Sequence, residues 1–159
     1  VPRTPLERLI VGFWASWFTL VFLTNLCDGL KVLGLVGENW KFASGNWALL
    51  VETTGIYRVP TPLVVVLFAG VVAWEGLAAL LMWSALGARG GPPEASRGSA
   101  VDRAFTVALG LFAAFALADE LFIAYHVEGT HLQVFLALLA SLLAVRLLPG
   151  EGTAPRGRG

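Results

Sequence analysis

Glu75 is the residue with the most chemical consequence in this sequence. It lies inside PLVVVLFAGVVAWEGLAALLMWSAL, residues 62–86, where its neighbours on both sides are apolar or glycine. Counted from Pro62, it sits roughly 20 Å along a helix. An ionisable group at that depth in a bilayer is costly and must face protein, water or a partner. No Lys or Arg occurs at matching depth in any apolar run. The side chain is therefore expected to be protonated and to donate a hydrogen bond, with Ser141 or a backbone carbonyl as acceptor. It would then act either as a proton or ligand site or as a neutral acid locking helices together. The second is favoured, because a proton path needs a chain of such groups.

A second set of polar residues collects at the ends of the apolar runs. Asn25 and Asp28 follow the first run, Asp119 and Glu120 lie near the end of the third, and His126, Glu128 and His131 surround the connection to the fourth. Asp119 and His126 are spaced to share a helix face. Carboxylate and imidazole together are zinc or copper ligands, so Asp119, His126 and His131 form a candidate metal set. There is no HxxxH or HxxE pair, and a hydrogen-bonded cap joining the helix ends is favoured, since polar groups in lipid must be satisfied internally. Haem is disfavoured because the two histidines sit at the membrane edge rather than at matched depth in a cavity. No cofactor is predicted beyond bound lipid. Cys27, the only cysteine, excludes an internal disulfide and a CxxC metal site.

Tryptophan is the third feature. Trp40 and Trp47 read as anchors at the headgroup level. Trp14, Trp17 and Trp74 lie deeper, where they face a partner protein, a lipid or a quinone, or simply pack against neighbouring helices.

These residues need long apolar elements to position them. The chain has 159 residues, 57% apolar and 14% charged, with a mean hydropathy of +0.74. That charge content is well below the soluble norm. The formal net charge of +0 leaves no basic stripe for phosphates, which argues against nucleic acid as a partner. Four runs, about residues 9–26, 62–86, 104–126 and 131–148, are each long enough to cross a bilayer of roughly 30 Å as helices. The first is too long, and lacks the small-residue cleavage site, for a signal peptide. The expected fold is an all-α polytopic membrane protein. It is a four-transmembrane-helix bundle forming one domain over residues 1–148, with a tight turn over residues 127–130. The segment of residues 27–61 should lie on the outer surface, with a short helix around residues 46–53. Residues 87–100 read as a flexible loop, and residues 149–159 as a disordered cytoplasmic tail. Arg3, Arg8, Arg89, Arg97, Arg103, Arg146, Arg156 and Arg158 fall on one side, against Lys31, Lys41 and Arg58 on the other. The positive-inside rule then places both termini, and the loop between the second and third runs, in the cytoplasm. Gly110, Ala114 and Ala118 make a small-residue face suited to close helix packing, as do Gly12 with Ser16 and Ala140 with Ala144.

Trp74-Glu75-Gly76-Leu77-Ala78-Ala79-Leu80-Leu81 resembles a stretch in a family of small bacterial integral membrane proteins, the domain of unknown function 2165. Asn25-Leu26-Cys27-Asp28 is similar to that family's NLTD after its first span, and Glu120-Leu121-Phe122 with Gly129 to its element between the last two spans. The outer segment and Ala118-Asp119 depart from the pattern. The resemblance implies four spans and no known activity, and it groups Asn25, Asp28, Glu75 and Glu120. The functional expectation is a small accessory or structural subunit of a larger membrane complex, with other integral membrane subunits and lipid as partners. The host envisaged is a respiratory or metal-dependent oxidoreductase. The alternatives are a small oligomeric transporter or channel using Glu75 and the outer acids, and a metal-binding enzyme component.

Overall fold

The computed structural model describes residues 4–87 and 94–147. Among them are five helices and no strand: α1 (Pro5–Val32), α2 (Asn46–Gly55), α3 (Thr61–Gly87), α4 (Glu94–Leu121) and α5 (Tyr125–Leu147). All but α2 are long and apolar enough to cross a membrane. The chain is thus an all-helical, multi-pass membrane protein.

The helix ends follow from local chemistry. Thr4 accepts the Glu7 amide at 3.1 Å, and Pro5 occupies the first turn, where its missing N–H costs nothing. Gly34, at φ +70°, ends α1: its amide donates to the Lys31 carbonyl at 2.9 Å and the Leu35 amide to the Leu30 carbonyl at 2.9 Å. This is the paired-carbonyl stop that a left-handed residue after a helix permits. The end of α4 repeats it with an unexpected residue. Ile123 takes φ 57°, its amide donating to the Glu120 carbonyl at 3.4 Å and the Ala124 amide to the Asp119 carbonyl at 2.8 Å.

That stop corrects the turn expected at residues 127–130. The chain reverses at Phe122–Ala124, and Gly129 lies inside α5. The third span ends at Leu121 rather than near His126. The expected loop is also shorter, because α4 already begins at Glu94. The remainder of that loop, and the tail at residues 149–159, lie outside the described residues.

The long helices run alternately up and down. Gly12 faces Leu86, Gly76 faces Phe22 and Gly29 faces Phe68, so α1 and α3 are antiparallel. A Cβ on Gly76 would come within 3.1 Å of the Phe22 ring, and one on Gly29 within 3.2 Å of Phe68. These glycines let aromatic rings seat directly on a backbone. α3 packs in turn on α4, and α4 on α5, while α1 and α5 barely meet. In this ring α1 and α4 are diagonal. The space between them is filled by aromatic rings: Trp17 stands edge-on to Phe18 at 5.0 Å, and both reach Phe112 of α4.

The buried stripe of α4 is Val101, Ala104, Phe105, Ala108, Leu111 and Phe112. Gly110, Ala114 and Ala118 are half-buried beside it rather than forming its centre. Gly110 has a specific use: the Trp74 ring lies 3.3 Å from where its Cβ would stand.

Candidate functional site

The side chains of Glu75, Asn25 and Asp28 converge where α1 and α3 meet the start of α2. Side chains tilt toward the N-terminus of their helix, so Glu75 leans from mid-α3 toward the end where α2 lies. It is 2% exposed and Asn25 1%. Asn25 Nδ2 donates to Glu75 Oε1 at 2.7 Å and to Oε2 at 2.8 Å. Asn46 Nδ2 donates in turn to Asn25 Oδ1 at 2.8 Å. Asn46 is the exposed first residue of α2. The buried acid is thus joined to the surface through two amides.

Asp28, one turn beyond Asn25, fixes the same helix from another direction. Gly45 at the N-cap of α2 has no side chain to cap with. Asp28 Oδ2 accepts the Trp47 amide at 2.8 Å and the Ser44 hydroxyl at 3.3 Å, and Ser44 Oγ accepts the Asn46 amide at 3.1 Å. A carboxylate at a helix N-terminus satisfies amides that have no partner within the helix and complements the dipole. Beside this network, Asn25, Gly29, Trp47, Phe68 and Val72 line part of a largely apolar groove of about 330 Å³ between α1 and α3.

The partner expected for Glu75 is different. Ser141 accepts the Trp14 indole N–H at 2.9 Å, joining α5 to α1. Ser141 meets α1 at Trp14, about three turns from Asn25, and its helix does not pack on α3, so it does not meet Glu75. Two further indoles are used between helices: Trp74 donates to the Val107 carbonyl at 3.0 Å and Trp83 to Thr19 Oγ1 at 3.0 Å. Trp14 is buried and Trp17 half-buried, whereas Trp74 is partly exposed beside its bonded N–H.

The remaining polar residues divide. His131 Nδ1 lies 2.6 Å from Asp119 Oδ2, linking α5 to α4. The imidazole also stacks near the Phe115 ring, with centroids 4.8 Å apart. His126 is exposed on the first turn of α5, not on the Asp119 face of α4. Among the described residues, no group of three His, Cys, Asp or Glu side chains is placed to hold a metal ion. Glu120 is exposed, so of the four residues that the family resemblance groups, the structure joins Asn25, Asp28 and Glu75 and leaves Glu120 out. Sequence reasoning missed Ser44 and Asn46. Their signal was the Ser44-Gly45-Asn46 sequence just before a short helix, a turn whose side chains seek nearby backbone amides.

No family model, no curated protein and no solved structure matches this chain.

Proposed function

We propose that this chain is a small, non-catalytic accessory subunit that packs within a larger complex of the bacterial cytoplasmic membrane, with both termini cytoplasmic. The observation that carries the reading is the state of α5. Only 6% of its apolar stretch is buried, against 28%, 28% and 33% for α1, α3 and α4. Leu132, Leu136, Leu139 and Leu143 all face outward from it. A helix held to the bundle on one side offers the other to the spanning helices of a neighbouring subunit. Its deep polar groups are engaged with one another: Glu75 with Asn25, Trp14 with Ser141 and Asp119 with His131. That pattern supports a scaffold rather than a reacting centre. The host is of the respiratory or metal-dependent oxidoreductase kind, and bound lipid covers what the host does not. Kinship with the small four-span family that residues 74–81 resemble is part of the same proposal.

Purification of the full chain from native membranes in mild detergent tests the reading. A stoichiometric companion polypeptide is expected, and its loss when Leu136 and Leu143 are both changed to Trp would place it on α5. A monodisperse monomer without a companion contradicts it. The transporter reading rests on the buried acid alone, since Asp119 is taken by His131 and Glu120 is exposed.

A further inference from the structure

The chain from Glu75 through Asn25 to Asn46 has a property that a static lock does not require. A primary amide carries a donor end and an acceptor end of nearly equal shape. As arranged, the donors all point inward: Asn46 to Asn25 at 2.8 Å, and Asn25 to the two Glu75 oxygens at 2.7 and 2.8 Å. This satisfies a carboxylate, which only accepts. A carboxylic acid has an O–H that must donate. If both amides turn by half a rotation, Glu75 donates to Asn25 Oδ1 and Asn25 Nδ2 donates to Asn46 Oδ1. The single O–H reverses one of the two Asn25–Glu75 bonds, the Asn25–Asn46 bond reverses with it, and the second Glu75 oxygen gives up its bond to Asn25.

We propose that Glu75 is a reversible proton-binding site reached from the α2 side of the bundle, and that one proton gained or lost reverses the hydrogen-bond direction as far as Asn46. The proton comes from water at that face and forms an O–H bond on one Glu75 oxygen. No other covalent bond changes. The geometry supports this in three ways. Glu75 is buried, its side-chain bonds are to a single amide rather than a cation, and the second amide in the chain belongs to an exposed residue. Asn46 opens α2 beside the Asp28 cap, so the charge of a buried group is registered at the start of a surface helix.

The other charged groups on the elements packed against Glu75 are few near this end. α1 contributes Asp28, joined to the network through Ser44, and Lys31 in its last turn. α2 contributes Glu52, α3 has no second charged side chain, and on α4 Asp119 is held by His131 while Glu120 is exposed. Of these, Asp28 is the one joined to Asn46 by hydrogen bonds, through Ser44, so it is the group to control for. The inference goes beyond the accessory-subunit reading and stands whether or not a host complex exists.

The test uses the full chain in lipid nanodiscs, with labelled asparagine side-chain amides followed by NMR and the carboxylic-acid C=O stretch followed by infrared spectroscopy. Helix content is monitored throughout. As pH falls, the acid C=O band should grow, and the Asn25 and Asn46 amide resonances should shift with the same midpoint. Glu75→Gln should remove the component of the band that shares the midpoint of the amide shifts, and both shifts with it, while the other carboxyl groups of the chain keep theirs. Asp28→Asn should leave all three in place, which keeps the test decisive even if Glu75→Gln fails to fold. An Asn46 shift lost in Asp28→Asn overturns the proposal, as does a wild-type chain whose Asn46 resonance stays fixed while the C=O band titrates. A band that does not change while helix content holds also overturns it.

Discussion

At the scale of single residues, the Asn25–Glu75 contact is the interaction on which the interior most depends. A buried acid left without its donor bears the full cost of desolvation, whereas removing both partners costs much less. Asn25→Leu should therefore lower stability by roughly 1–3 kcal/mol. The double variant with Glu75→Leu should lose less than the sum of the single changes, as thermal unfolding in detergent would measure. A fully additive pair would mean that the two side chains do not support each other. The Trp14–Ser141 bond belongs to the ordinary class: Ser141→Ala should cost about 1 kcal/mol.

Much of this residue-scale picture could be read in advance. An acid surrounded by apolar side chains had to be buried and bonded. Its partner could not be read, because depth counting gives a level in the membrane and not which helices are adjacent. Ser141 lies on the diagonal helix and bonds α1 at Trp14, well away from Asn25. Glu120 and Asp119 were separable in principle. The buried stripe through Ala108, Leu111 and Phe112 continues at helical spacing to Asp119, and Glu120 is rotated off it.

Among the elements, α2 and the α4–α5 connection show how local backbone chemistry decides position. α2 is capped by Asp28 from another helix. Asp28→Ala should cost about 1 kcal/mol, as loss of a cap does, and should speed amide exchange at Trp47. Asp28→Asn should retain most of the protection. The α4–α5 stop escaped the sequence because the usual signal was misleading. Gly129 looked like the turn, yet the left-handed position is taken by Ile123, a β-branched residue poorly suited to it. Ile123→Gly should therefore raise stability by about 1 kcal/mol, the scale of that backbone penalty. An unchanged or lowered unfolding temperature would count against strain at this stop. Just after α2, Tyr57 OH donates to the Leu121 carbonyl at 2.9 Å, so the segment that carries α2 touches the end of α4 as well as α1 and α3.

At the scale of the whole molecule, the four long helices, the short surface helix and the burial of Glu75 form one argument. Polar groups in a bilayer are tolerated where other helices satisfy them. Here the deepest acid is tied by way of α1 to a helix at one end of the bundle. That account requires α2 and the start of α4 to lie on opposite sides of the membrane, and the proposed orientation puts the arginine-rich α4 end inside. Single cysteines replacing Glu52 on α2 and Arg103 on α4, both exposed, can be introduced after Cys27→Ser removes the native thiol. In intact cells, an impermeant thiol reagent should label position 52 and reach position 103 only after permeabilisation. Labelling of both positions from the same face would contradict the four-span bundle, and with it the path from Glu75 to the surface.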